Sequence, residues 1–98
     1  MPDVAPLSRL VRLFLDFCRI EKGLAANSLA AYGLDLARFS AFAQGQGGDR
    51  LPDTEGVRRY VDTLYAAGLQ GRSVARHLIT LRNLYGFLLR EGLIGTDP

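Results

Sequence analysis

Residues 72–90 carry side chains that suit contact with a polyanion. No acidic residue lies on their polar face, whereas exposed helix faces usually mix charges of both signs. Arginine guanidinium groups beside the hydrogen-bonding side chains of Ser, Thr and Asn suit DNA, which presents charged phosphates and the polar edges of bases together. At about 100° per residue, this helix face would hold Arg72, Ser73, Arg76, Thr80 and Asn83, with Arg90 further along. On the residues alone, a merely solvated face stays open as the alternative.

A second polar group lies where another helix is expected to begin. It contains Lys22, Asn27 and Ser28. The free N–H groups and positive dipole end of a helix N-terminus hold phosphates well. Asn27 or Ser28 is also a suitable N-cap, and the two roles are compatible.

Groups that could perform catalysis are few. The chain has one cysteine, Cys18, and one histidine, His77, which excludes an internal disulfide and a multi-ligand Cys/His metal site. Cys18 falls on an apolar stripe, which predicts a buried small side chain. His77 lies at the edge of another stripe, and is either a packed surface residue or in contact with DNA. We expect no catalysis by this chain alone, and neither a metal nor another cofactor.

Apolar spacing predicts four helices, and no segment alternates as a strand would. The first, second and fourth helices are expected over about 7–21, about 28–44 and about 72–91, the last closed by Gly92. The third is expected to begin after Asp53 or Thr54 as its cap and to end at Gly68 as the C′ residue. Asn27-Ser28 should cap the second helix, and the glycines of 45–48 should end it. The predicted core seam of the fourth helix is Val74, Leu78, Leu81, Tyr85 and Leu88.

Length and composition set the frame for these elements. Ninety-eight residues form one domain, and 48% hydrophobic with 22% charged residues exclude disorder. Eleven arginines and one lysine against ten acids give a net charge of only +2, a weak argument for nucleic acid. Neither a membrane-spanning run nor a secretory signal is evident, so a cytoplasmic protein is expected.

Two long motifs carry a resemblance. They read E-K-G-L-x-x-N-S-L-x-A-Y at 21–32 and R-S-V-A-R-H-L-x-x-L-R-x-L-Y-x-F-L at 72–88, followed by a G-L-I-x-x-x-P tail. In this order and at this separation they resemble the N-terminal core-binding domain of Xer-type tyrosine recombinases. The resemblance covers nearly the whole chain, 1–98, as a single domain.

The resemblance implies an all-α fold, a compact four-helix orthogonal bundle of SAM-like type. In the family this domain is half of a C-shaped clamp on a recombination half-site, and its second and fourth helices cross the major groove. The matching DNA-binding positions are Lys22, Asn27, Ser28, Arg72, Ser73, Arg76 and His77. The implied partners are a double-stranded DNA recombination site and, for the full-length protein, other protomers in a synaptic tetramer.

The family's catalytic residues, including its tyrosine nucleophile, follow a linker and have no counterpart here. The four tyrosines are expected on or near core faces of helices, and none matches the nucleophile: Tyr32, Tyr60, Tyr65 and Tyr85. Resolution of chromosome dimers and movement of a mobile element both stay open as the task.

The chain departs from the family at two places. Gly33 stands where a basic residue is common, and Asp97-Pro98 where Asn-Pro is common. Leu13 and Leu15 lie off the main stripe of the first helix, which suggests contact with another protomer or with the catalytic domain. The rival hypothesis is a helical protein-interaction module whose arginine face meets an acidic partner.

Overall fold

A computed structural model describes residues 4–95, and over that range it consists of four helices without any strand. The helices are α1 (Leu7–Ile20), α2 (Ala26–Gly47), α3 (Thr54–Ala66) and α4 (Gly71–Arg90). The predicted all-α class and the number of helices are confirmed. The departure at Asp97-Pro98 lies outside the described residues.

Helix α1 forms because apolar residues recur at three- and four-residue intervals. Leu7, Leu10, Phe14 and Cys18 are its buried residues, and α1 contacts both α2 and α4. Cys18 is buried as predicted, and its burial raises the pKa of the thiol. Leu13 and Leu15 are half-buried against the core, so their contact with another protein surface stays a prediction.

The ends of α3 and α4 follow their sequence signals. The Asp53 carboxylate accepts the Gly56 N–H at 2.9 Å, which makes Asp53 the N-cap of α3. Gly68 and Gly92 have φ angles of 88° and 71°, the left-handed conformation that commonly ends a helix.

The predicted ends of α2 are wrong. Asn27 and Ser28 lie inside the first turn, and the N-cap residue is Ala25, which has no side-chain cap bond. The chain reaches Ala25 from Leu24, which packs against the core, and the helix begins at once. At the other end α2 continues to Gly47, and Gly48, at φ 107°, is the C-cap. Glycine lowers helix stability by about 1 kcal/mol per residue relative to Ala but does not forbid the conformation, so the glycine run did not end α2 at its first residue.

Helix α4 contacts all three other helices, and its buried side is wider than predicted. Its buried residues are Val74, His77, Thr80, Leu81, Leu84, Tyr85, Phe87 and Leu88. Leu78, predicted in the seam, is 37% exposed. The prediction for Leu78 was wrong because neighbours on several sides of α4 shift its buried arc toward His77 and Leu84.

The four tyrosines differ in how deeply they are buried in the bundle. Tyr60 and Tyr85 are buried, and the Tyr85 hydroxyl donates to the Pro52 carbonyl at 2.6 Å. Tyr32 is half-buried, whereas Tyr65 is 56% exposed, so its expected place on a core face was wrong. Within the described range, no helix has the length and hydropathy to cross a membrane.

Candidate nucleic-acid interface

Helices α2 and α4 lie side by side in opposite directions. The Asn83 side-chain amide donates to the Tyr32 hydroxyl at 2.9 Å, and Arg76 donates to Asp35 at 2.8 Å. Residues further along α2 contact residues nearer the start of α4. The start of α2 therefore lies beside the C-terminal half of α4.

The antiparallel pairing separates the predicted DNA-binding residues into two groups. The first, called the α2-start group, comprises Lys22, Asn27 and Ser28, all exposed. The second, called the α4-start group, comprises Arg72, Ser73 and Arg76, of which Ser73 is half-buried and the two arginines are exposed. At 1.5 Å per residue, Asp35 lies about 10 Å along α2 from Ser28, and Arg72 about one turn beyond Arg76. From Ser28 to Arg72, the separation is thus roughly 15 Å along the helix pair.

A groove lies between α1, α2 and the C-terminal half of α4. It encloses about 260 Å³ and has an aromatic base formed by Phe14, Phe17 and Tyr32. Its polar lining is Lys22, Arg82, Asn83 and Arg90. Among residues 4–95, no carboxylate lines this groove, so the described lining presents three cations to any anion that approaches.

Arg82 is a basic residue that sequence reasoning missed. The predicted face was centred on Arg72 and Thr80, and Arg82 is about 80° away from Arg72 around the helix. Because the buried arc of α4 is displaced from the predicted seam, Arg82 is exposed at the groove. The signal available in the sequence was that Arg82 is one of the named positions of the motif at 72–88.

An acidic side chain of α2 lies against the face of α4 that the sequence predicted to be free of acids. Asp35 of α2 is 3% exposed, and its two oxygens accept from Arg76 Nη2 and Thr80 Oγ1, each at 2.8 Å. Thr80 is therefore buried and not part of an exposed face. The expectation of an acid-free surface holds along α4 itself but was wrong beside Arg76. The position of Asp35, three residues after Tyr32 and one before Leu36, was the sequence signal for its burial.

His77 lies in the interior rather than on the surface. It is 4% exposed, and its Nδ1 is 3.4 Å from the Tyr60 hydroxyl and 3.6 Å from Asp35 Oδ1. Burial lowers the pKa of His77, although the Asp35 charge opposes that shift. Burial likewise raises the pKa of Tyr60 to about 12. Both roles considered from the sequence placed His77 at the surface, so its burial was not predicted.

Other arginines lie in mixed-charge surfaces. Arg58 pairs with Glu55 at 2.6 Å and Arg19 with Asp16 at 3.7 Å, both between exposed side chains. Each pair joins residues three positions apart on one helix. Such exposed pairs contribute roughly 0–1 kcal/mol each to stability. Across residues 4–95, no group of three or more His, Cys, Asp or Glu side chains could hold a metal ion.

Comparison with known families decides which domain this is. Residues 11–92 match the family described as phage integrase, N-terminal SAM-like domain. The chain belongs to this family. The match spans all of α2, α3 and α4, and so includes both of the helices that carry the α2-start and α4-start groups.

Relatives of this SAM-like domain include tyrosine recombinases. It is 42% identical over 93 residues to tyrosine recombinase XerD of Bradyrhizobium diazoefficiens, a match that covers 93% of this chain and 29% of the relative. The XerD of Pseudomonas aeruginosa is 43% identical over 94 residues, with 91% and 30% covered. The XerC of Bacillus pumilus is 34% identical over 92 residues, with 92% and 30% covered. The chain therefore spans less than a third of the length of these relatives. No solved structure matches it.

Proposed function

We propose that this SAM-like domain binds duplex DNA as the DNA-holding part of a site-specific tyrosine recombinase. The observation that carries the proposal is the exposed surface of the α2–α4 pair, with a polar or basic group at each end and three cations in the groove at the α2-start end. Breaking and rejoining of DNA is assigned to residues outside these 98 positions.

The spacing of the two groups suits a duplex. The major groove of B-DNA is about 12 Å wide, close to the roughly 15 Å that separates Ser28 from Arg72 along the helix pair. Lys22, Asn27, Ser28 and Arg72, with Ser73 beside them, would contact phosphates on the two sides of one groove. Arg82 and Arg90 add phosphate contacts from the cationic groove, and each contact would release counterions.

Arg76 is the proposed base-reading residue. Its side chain is 60% exposed, and an arginine fork can donate to guanine O6 and N7 together. Buried His77 supports α4 from inside and is not among the proposed contacts. This division gives phosphate contacts the task of positioning the domain and Arg76 the task of discriminating sequence.

The full-length protein would act with partners. The DNA recombination site is the proposed ligand, and further recombinase protomers in a synaptic tetramer are the proposed protein partners. Leu13 and Leu15 remain the proposed contact with a protomer or with the catalytic domain. Because that domain would supply many phosphate contacts, the isolated chain should bind DNA weakly.

The test compares Arg76→Ala with Lys22→Ala on two duplexes. One duplex is selected by the unmodified protein from a randomised pool, and the other is a scrambled version. Arg76→Ala should lose about 1–3 kcal/mol of binding free energy on the selected duplex and little on the scrambled one, whereas Lys22→Ala should weaken both alike. Arg12→Ala, on the exposed side of α1, is the control. Equal losses on both duplexes for Arg76→Ala would remove Arg76 as the base reader.

A further inference from the structure

We propose that Asp35 is a positioning residue that holds Arg76 ready for base reading, so that Asp35 sets sequence discrimination without touching DNA. This inference rests on the proposed DNA binding. It concerns the one acidic side chain, within the described part of the chain, that contacts an arginine of α4.

The contact geometry fixes one end of the Arg76 guanidinium. Asp35 Oδ1 accepts from Arg76 Nη2 at 2.8 Å, and Asp35 Oδ2 accepts from Thr80 Oγ1 at 2.8 Å. The carboxylate is buried and bonded through both oxygens to α4, so it cannot follow a moving side chain. Arg76 keeps its other N–H groups free, because its side chain remains 60% exposed.

The two oxygens of Asp35 have different neighbours: Oδ2 accepts from Thr80, whereas Oδ1 accepts from Arg76 and also lies 3.6 Å from Nδ1 of buried His77. The Oδ2 bond to buried Thr80 joins the interiors of α2 and α4. The Oδ1 bond to Arg76 reaches a guanidinium whose side chain is 60% exposed, so solvent screens the arginine end of this pair and reduces what it contributes to folding. A carboxylate near a DNA-binding surface also repels phosphates. The Oδ1 contact is therefore explained better by orientation of Arg76 than by stability.

Arg76 differs in this respect from the other arginines of α4. Over residues 4–95, Arg72, Arg82 and Arg90 form no ion pair, whereas Arg76 is held by a buried acid. A phosphate contact tolerates a mobile cation, because a cation can approach the charge of a DNA phosphate from many directions. A forked contact with a base edge requires a set orientation, and a side chain that is already held loses less rotamer freedom on binding.

The main test is a double-mutant cycle with Asp35→Asn and Arg76→Ala. Discrimination is the ratio of affinities for the selected and the scrambled duplex. Asp35→Asn alone should lower that ratio on the order of tenfold, while affinity for the scrambled duplex stays the same or rises because a negative charge has been removed. In the Arg76→Ala background, Asp35→Asn should leave the ratio unchanged. Thr80→Val, which removes only the structural partner, should leave it unchanged in the otherwise unmodified chain.

A measurement on the unmodified protein covers the case in which Asp35→Asn does not fold. NMR of isotope-labelled protein without DNA should show the Arg76 guanidinium ordered and slow to rotate, and those of Arg72 and Arg82 averaged by motion. The proposal would be overturned if the Arg76 guanidinium were as mobile as that of Arg72. It would also be overturned if Asp35→Asn left the discrimination ratio unchanged, or if it lowered the ratio by the same factor in the Arg76→Ala background. DNA binding that persists with such results would preserve the proposed function, whereas no binding to any duplex would remove both.

Discussion

At the scale of single residues, the buried His77 couples stability to pH. Its pKa in the folded protein is below the ordinary value of 6.5, because burial disfavours the charged ring. The groups that face it are Asp35, Arg76, Arg38 and Tyr60. The neutral ring therefore contributes fully to the free energy of unfolding above about pH 6.5. As pH falls below that value this contribution is lost, because His77 takes up a proton more readily in the unfolded chain than in the folded protein.

The first prediction is that the free energy of unfolding falls between about pH 7.5 and about pH 5.5, and that His77→Gln reduces this fall. Urea denaturation at the two pH values measures it for both proteins. The same pH dependence in His77→Gln as in the unmodified chain would contradict the assigned role of burial.

Single residues were predictable where their partners lie nearby in sequence. Cys18 follows from the apolar stripe of α1, and the cap at Asp53 bonds a residue only three positions away. Asp35 and Arg76 are 41 positions apart, and no local pattern pairs them. The interior location of His77 was not predicted for the same reason, because Tyr60 belongs to a different helix.

At the scale of elements, the starts of α3 and α2 allow a comparison between a residue that caps its helix and one that does not. Asp53 accepts a backbone N–H at the start of α3, whereas Ser28, suggested as a cap by its type, lies inside α2 without a cap bond. The second prediction is that Asp53→Ala lowers the free energy of unfolding by about 1 kcal/mol, while Ser28→Ala changes it by less than about 0.5 kcal/mol. Urea denaturation of both variants measures the difference, and an equal loss in the two would restore Ser28 as a cap.

Gly33 gives a third prediction for α2. A Cβ at this position would meet no atom within 4 Å, and Ala favours the helix over Gly by about 1 kcal/mol. Gly33→Ala should therefore raise the midpoint of thermal unfolding. Gly56→Ala is the matched control in α3 and should lower it, because its Cβ would be 2.9 Å from Pro52 Cβ. A lower midpoint for Gly33→Ala would show that α2 needs glycine there.

The sequence predicted the existence of all four elements more accurately than their edges or faces. Helix existence depends on local periodicity, which is strong in α1 and α3. The N-terminal edge of α2 depended on Leu24, whose packing against the core is a tertiary effect. The buried face of α4 depended on contacts with three neighbouring helices, which is why Leu78 was placed inside and Arg82 was missed.

At the scale of the whole molecule, the arrangement of α2 against α4 decides what the surface can bind. Neither helix alone gives two separated groups with a cationic groove beside them. The antiparallel order rests on Tyr32–Asn83 and Asp35–Arg76, contacts between residues far apart in sequence. The motifs indicated which helices matter, and the structure adds which parts of the two helices lie beside each other.

The most direct test of DNA binding by this surface compares two triple variants of equal net charge. One carries Arg72→Gln, Arg82→Gln and Arg90→Gln on α4. The control carries Arg9→Gln, Arg12→Gln and Arg59→Gln, exposed residues of α1 and α3. Fluorescence anisotropy with duplex DNA at low and at physiological salt gives the affinity and its salt dependence for each protein.

The DNA-holding function predicts that the unmodified chain binds at low salt and weakens as salt rises, and that the control variant behaves nearly alike. The α4 variant should lose most of its affinity and have a shallower salt slope, since each lost phosphate contact reduces the slope by about one. Equal losses in both variants would show a nonspecific charge effect and contradict the assigned surface. No binding by the unmodified chain at low salt would favour a protein-interaction module with an acidic partner.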